Sequence, residues 1–336
     1  MDGGAQYGNS HEIVREEAPQ DAIVRLTANR NGPVVRTTLD VAPRVDVVVI
    51  SRDRLPELLT TLGRLTALPD VGKVIVVDNA SSDGTTEAVK RFYPSVSVQG
   101  LSRNIGSTAR TIGVEQCRSE IVAFTDDDSG WAPGAMSKAV ALFNNYPNLA
   151  LVQARILVND EKKLDPTCRL MANSMPFSLG APGIPISGFL ACGAIVRRAA
   201  YMQVGGFNPK LGFGGEEALL AIDLLQAGWD IQYVEEVVAH HWPSPARDRG
   251  QRLYAEYRNE LWTSWLRRPP AQVARRTLVT AKRAAGGDRH AALALIHALR
   301  GLLWIIRQRQ VVSPNVEQTL RLCELARLRE SVNAVD

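Results

Sequence analysis

Residues 123–130 read Ala-Phe-Thr-Asp-Asp-Asp-Ser-Gly, with three carboxylates directly after an apolar run. Like charges so close raise one another's pKa unless something positive stands among them. Two acids spaced Asp-x-Asp, Asp126 and Asp128, suit Mg2+ or Mn2+. These ions take hard oxygen ligands, usually one or two carboxylates plus substrate phosphates. One acid would bind the metal, and the other would orient water or a ribose hydroxyl. A cation held there stabilises a departing diphosphate. The plainer alternative is a polar turn ahead of the helix that Pro133 begins.

The elements around the acids decide between these readings. Residues 45–50, VDVVVI, and 73–78, KVIVVD, are continuous β-branched runs, the pattern of strands buried on both faces. Helical spacing fills 55–68, 83–93 and 106–117, and shorter strands are expected at 96–99 and 120–126. Strand and helix alternate four times with short links, which predicts a mostly parallel, Rossmann-like sheet flanked by helices. Ligands of such sheets bind beyond the carboxyl ends of the strands. Ser51-Arg52-Asp53, Asp78-Asn79 and Asp126–Asp128 all fall at those ends. That shared edge favours a site over three unrelated turns.

Further along, strands are expected at 148–158, 188–198 and 231–242, and a helix at 214–229. The Pro- and Gly-bearing stretch between 165 and 185 reads as an irregular loop. From about residue 246 the chain looks helical and Arg-rich, broken at 267–270 and 284–288. Three segments follow: an N-terminal extension over 1–42, an α/β catalytic domain over 43–245, and a C-terminal helical region over 246–336.

The 336 residues are 45% hydrophobic and 22% charged, which fits a globular protein and excludes a disordered one. The formal charge is only +4, so the excess of base is local, gathered beyond His240. Such a surface suits phosphate, acidic lipid or nucleic acid, or is a solvated helical face. Aromatics are few there and no nucleic-acid motif is present. Four well-separated cysteines read as reduced, buried thiols, and the N-terminus lacks the apolar stretch of a signal peptide. Residues 292–306 come nearest to a membrane span, but His297 and Arg300 interrupt them, and they suit a buried or interfacial helix. A cytoplasmic protein is expected, compatible with peripheral contact at the inner membrane face.

The ordered set VDVVVISRDR, VIVVDNASSDGT, LSRNIGSTARTIGV, IVAFTDDDSGWAPGAM, GGFNPKLGFGGEEALLAIDLLQAGW and VAHHW resembles a family 2 glycosyltransferase of the GT-A fold, over roughly residues 44–245. The resemblance implies an inverting, metal-assisted hexosyltransferase with a nucleotide-sugar donor, UDP-linked by default, and Mg2+ or Mn2+ as cofactor. It assigns the nucleotide side to Ser51, Arg52, Asp78, Asn104, Gly106, Arg110 and Asp126, where Arg110 either fixes the acid run or forms a structural ion pair. It assigns the metal to Asp126 and Asp128, with His240 preferred over His241 as the imidazole ligand. Glu216-Glu217 stand where relatives have Glu-Asp. Galactosyltransferases use the second acid of GGED as the base, which makes Glu217 the expected base and Glu216 a ligand of acceptor or sugar. The plainer reading is that both acids complement a helix dipole. Arg258 is the candidate that closes on the diphosphate through bidentate contacts. Many relatives carry an Asp two residues after the pair and an Arg later in that helix; here Leu219 and Asp223 stand at those places.

Two other functions compete. A sugar nucleotidyltransferase would want a Gly-rich, basic loop after the first strand, which ISRDRLPE does not supply. A catalytically inactive binding module would keep the sheet and lose the base, whereas both acid groups persist. The acceptor expected is a glycan, a lipid-linked glycan or a small metabolite, and no nucleic acid.

Overall fold

The computed structural model describes residues 45–175, 181–244 and 249–333, so the N-terminal extension expected over 1–42 lies outside the described residues. Ten strands form one sheet: β1 (Val45–Ser51), β2 (Val71–Asp78), β3 (Ser97–Gly100), β4 (Ile121–Asp126), β5 (Ser129–Trp131), β6 (Leu149–Val158), β7 (Lys163–Leu164), β8 (Ile184–Pro185), β9 (Ala194–Arg197) and β10 (Asp230–His241). Their order is β3-β2-β1-β4-β9-β6-β10-β5, with β7 beside β6 and β8 beside β10. The first four in that order run parallel. β9 is antiparallel to both its neighbours and hands the sheet over to the parallel pair β6–β10.

The helices are α1 (Leu55–Thr66), α2 (Thr85–Phe92), α3 (Ala109–Gln116), α4 (Ala135–Asn145), α5 (Pro166–Ala172), α6 (Arg198–Gln203), α7 (Glu217–Gln226), α8 (Arg249–Arg267), α9 (Pro270–Ala285), α10 (Arg289–Arg300), α11 (Leu302–Gln308) and α12 (Pro314–Asn333). β1 is buried at every residue because helices cover both of its faces, as its unbroken apolar run requires. The expected C-terminal breaks are present. Pro270 opens α9, and Asp288 caps α10 by accepting from the His290 and Ala291 amides.

Three local expectations are corrected. The stretch 165–185 contains α5, where Asp165 accepts from the Thr167 amide and Pro166 starts the helix. This cap–proline signal is legible once it is sought. Residues 188–198 are not one strand: Ala191–Gly193 form a 3-10 turn and only Ala194–Arg197 pair. Three residues after the acid run, Ser129–Trp131, form β5 against the end of β10. All four cysteines are buried and free.

α7 joins the two halves of the described core. Leu220, Ala221 and Leu224 pack into the sheet core. Leu219 packs with Leu211, Trp262 and Trp265 beneath α8, while Ile222 meets Val312 and Leu320 beside α12. A helix apolar on all sides belongs inside. This placement explains the two departures from the family pattern: Leu219 is core, and Asp223 accepts from Arg267 at 2.5 and 3.1 Å. No single described helix is long and apolar enough to cross a membrane.

Candidate active site

β1, β2 and β4 end on one edge, and their last residues knit together. The Ser51 hydroxyl donates to Asp127 Oδ2 at 2.9 Å. Arg54, just beyond β1, donates to Asp127 Oδ1 at 3.0 Å and to Asp128 Oδ2 at 3.1 Å. The Thr61 hydroxyl of α1 reaches the Asp127 carbonyl at 2.8 Å, and Ser129 Oγ accepts from the Asp126 amide at 2.8 Å. The acid run is therefore a built turn. Arg54 supplies the positive charge that makes the cluster tolerable without a ligand.

The three acids have separate surroundings. Asp126 is part-exposed and is held by Arg110 of α3. Asp128 is almost wholly buried, within 3.4 Å of His241 Nε2, and accepts from the Ser244 amide at 3.2 Å. Asp127 is buried and its pKa is pushed up to about 7; burial is the main cause, Asp126 and Asp128 add to it, and Arg54 opposes it. An acid with a raised folded pKa costs stability once the unfolded chain ionises and the folded one does not. Metal-free protein should thus lose stability as pH rises from about 4 to about 7. Asp127→Asn should flatten that slope in thermal melts recorded across this window.

The histidine expectation is corrected in placement. His240 does not face the acids: its ring stacks on Trp242 with centroids 5.6 Å apart. Its pKa is lowered, by burial first and then by Lys162 and Arg64. His241, the neighbour on the opposite face of β10, is the imidazole that meets Asp128.

The nucleotide-side residues are gathered less evenly. Asp78 is buried, and its oxygens accept from the Ser81 amide at 2.9 Å and the Thr86 hydroxyl at 2.7 Å. A ring N–H would have to use a remaining lone pair. Arg52 is exposed beside Asp53, at 3.4 Å. Asn104 Oδ1 accepts from the Gly106 amide, and buried Asn79 braces that loop by donating to the Gly106 carbonyl and accepting from the Ile105 amide, each bond at 2.9 Å. Gly106 has φ +66°, and a Cβ there would stand 2.8 Å from the Gly212 Cα, so a side chain is excluded. Asn79 is therefore a positioning residue for this loop.

The Glu pair is close enough to Arg110 to share its electrostatic influence with Asp126. Arg110 is 2% exposed, and its charge acts on Asp126, Glu216 and Glu217 together. Its Nε and Nη1 have no hydrogen-bond partner among the described residues. Glu216 is buried at the helix cap with no partner for Oε2 among the described residues, and burial holds its pKa well above the usual range, with Glu217 adding to the effect. Glu217 is half-buried and also raised, chiefly by burial, while Arg110 pulls it back. Asn259 of α8 fixes the approach to the pair, donating to the Leu211 and Gly214 carbonyls at 3.0 and 2.7 Å.

Arg258 is not at the acids. It donates to the Leu211 carbonyl at 2.6 Å and lies over Trp262, with Cζ 4.6 Å from the ring centroid. Arg252 is the α8 arginine whose charge feels Glu217 and Glu216, beside its own partner Glu256 at 2.9 Å. Sequence order gave no means to choose between them.

A divalent cation needs only part of its shell from protein here, since diphosphate oxygens supply the rest. Asp126, Asp128 and His241 offer the right donor types. Among the described residues, no three such groups converge as a complete ligand set. The donors fit a cation that arrives with its nucleotide, not one caged by protein alone.

Residues 46–205 match the family described as Glycosyl transferase family 2. The chain belongs to that family. It is a glycosyltransferase of the nucleotide-sugar-dependent kind, and its sheet is the GT-A type. The chain is 25% identical over 256 residues to the N-acetylglucosaminyl-diphospho-decaprenol L-rhamnosyltransferase of Mycobacterium tuberculosis, covering 66% of this chain and 82% of the relative. It is 32% identical over 237 residues to the Pre-mycofactocin glycosyltransferase of the same species, covering 68% of this chain but spanning only 47% of that relative. Among solved structures, the mannosyltransferase PcManGT from Pyrobaculum calidifontis, in complex with GDP-Man and Mn2+, superposes with a TM-score of 0.51 at 19% identity, covering 86% of this chain and 88% of that one.

Proposed function

We propose that this transferase moves a hexose from its nucleotide donor to an acceptor hydroxyl with inversion, using Glu217 as general base. The observation that carries the reading is buried Arg110, which pairs with Asp126 and whose charge also acts on both glutamates. Donor and acceptor functions thus share one buried cation. Glu217 is part-exposed, so an acceptor hydroxyl can reach it, while burial lifts its proton affinity toward what a base needs. It takes the hydroxyl proton as the acceptor oxygen bonds to the anomeric carbon and the bond to the diphosphate breaks. Buried Glu216, whose Oε2 has no partner among the described residues, receives a hydroxyl of the sugar or acceptor.

Asp126, Asp128 and His241 would hold Mg2+ or Mn2+ with the diphosphate. When bound, that cation neutralises the leaving group. Mn2+ accompanies the nucleotide sugar in the Pyrobaculum calidifontis mannosyltransferase, which supports the choice of ion. The mycobacterial rhamnosyltransferase acts on a lipid-linked sugar, which makes a lipid-linked glycan the preferred acceptor class. The test is turnover of UDP-, GDP- and dTDP-sugars with and without Mn2+, reading nucleoside diphosphate release and the product anomer. The expected result is metal-dependent release with an inverted product. A retained anomer, or nucleotide binding without release, would defeat the reading.

A further inference from the structure

α10 and α11 are packed the opposite way from ordinary surface helices. The inner face of α10 is built on small residues, with Ala291, Ala294 and Ala298 all 0% exposed, while α11 is anchored by Ile305 at 2%. Their large apolar residues face outward: Ile296 is 51% exposed, Leu299 59%, Leu303 74% and Ile306 64%. An apolar face of this kind on an isolated chain marks a surface that something covers. The two helices are bent by 60° where they meet at Gly301, and neither alone is long and apolar enough to cross a membrane.

A cleft of about 340 Å3 opens at that bend. Arg300, Gly301 and Trp304 line it, and these alternate along the chain with exposed Leu299, Leu302 and Leu303. Lys210 and Arg258 complete its charge, and Tyr254 and Trp262 its aromatic walls. Among the described residues, no acid forms an ion pair with Lys210, Arg258 or Arg300. Three cations with no acid paired to them, of which Arg258 is held by the Leu211 carbonyl and Asn259, suit a phosphate oxyanion, and the apolar ridge beside them suits acyl or prenyl chains.

We infer that the α10–α11 ridge lies in the surface of a bilayer and that the cleft at its bend receives the phosphate headgroup of an anionic lipid. The occupant is a lipid because one site joins both chemistries: free phosphate would use the cations and leave the ridge bare. Exposed Arg300 and Arg307 flank the ridge, as an anionic surface favours. The inference is independent of the donor site and would stand if the chain transferred nothing.

Vesicle co-sedimentation of the full chain tests it. Phosphatidylcholine vesicles should bind at least about tenfold less protein than vesicles that also contain phosphatidic acid. Leu303→Glu should lower binding to both about tenfold, while circular dichroism stays unchanged because the side chain is exposed. Arg300→Glu should remove the preference for phosphatidic acid and leave the residual binding. Equal binding to both vesicles, or binding that ignores Leu303→Glu, overturns the inference. So does a dimer that Leu303→Glu converts to monomer without any vesicle binding, since the ridge would then belong to a second copy. Stabilisation by inorganic pyrophosphate, lost in Arg300→Glu and unaccompanied by vesicle binding, would assign the cleft to a soluble anion instead.

Discussion

Glu217→Gln should lower kcat by about 10²–10⁴-fold while donor binding stays nearly unchanged. The amide keeps the size and polarity of the side chain but cannot accept a proton. The neighbouring acid provides the internal control. Glu216 is buried at the cap and Glu217 is reachable, so Glu216→Gln should act mainly on KM. Steady-state kinetics against donor and acceptor separate the two. If Glu216→Gln collapses kcat and Glu217→Gln does not, the base is the other acid.

Arg110→Met should destabilise the fold by about 3–5 kcal/mol, the usual result of removing one partner from a buried charge cluster. Methionine fills much of the volume but leaves Asp126, Glu216 and Glu217 without their common cation. The pKa values of Glu216 and Glu217, already raised by burial, should then rise further, and the loss should be greatest at high pH, where the pair is forced to ionise. Denaturant melts at two pH values read this directly. Arg110→Lys should recover part of the stability, since it restores charge without the planar fork. A loss below about 1 kcal/mol, with no pH dependence, would mean that the three acids do not share this arginine.

The acid run calls for a similar correction. Asp128→Ala would leave Arg54 and His241 facing a cavity, so lost activity could reflect lost structure. Asp128→Asn keeps the shape and removes the charge, which makes it the cleaner probe of ligation.

Much of this was legible in the sequence. The buried strands announce themselves because a strand covered on both faces needs an unbroken β-branched run, as in VDVVVI and KVIVVD. The acid run, the Glu pair and Arg110 are legible because their placement at strand and helix ends is a matter of chain order. The histidine choice was not. Alternation along a strand has period two, but its phase must be counted from a fixed partner. β10 shifts register between Val234 and Val238, so a count from its buried start fails before it reaches His240. Arg54 was hidden differently: Arg52 and Arg54 stand in one loop, and only the fold turns one outward and the other onto Asp127. Leu219 and Asp223 stood out only as departures from the family pattern because sequence cannot show that α8 and α12 dock against the same helix.

The most direct test is Mn2+ binding followed by electron paramagnetic resonance, with UDP, GDP or dTDP present in turn. One of these nucleotides should make the parent protein take up one Mn2+ per chain, and Asp128→Asn should lose that uptake while melting like a folded protein. Equal Mn2+ uptake by parent and variant, or none with any of the three nucleotides, would contradict the claim that the strand-tip aspartates are a nucleotide-linked metal site.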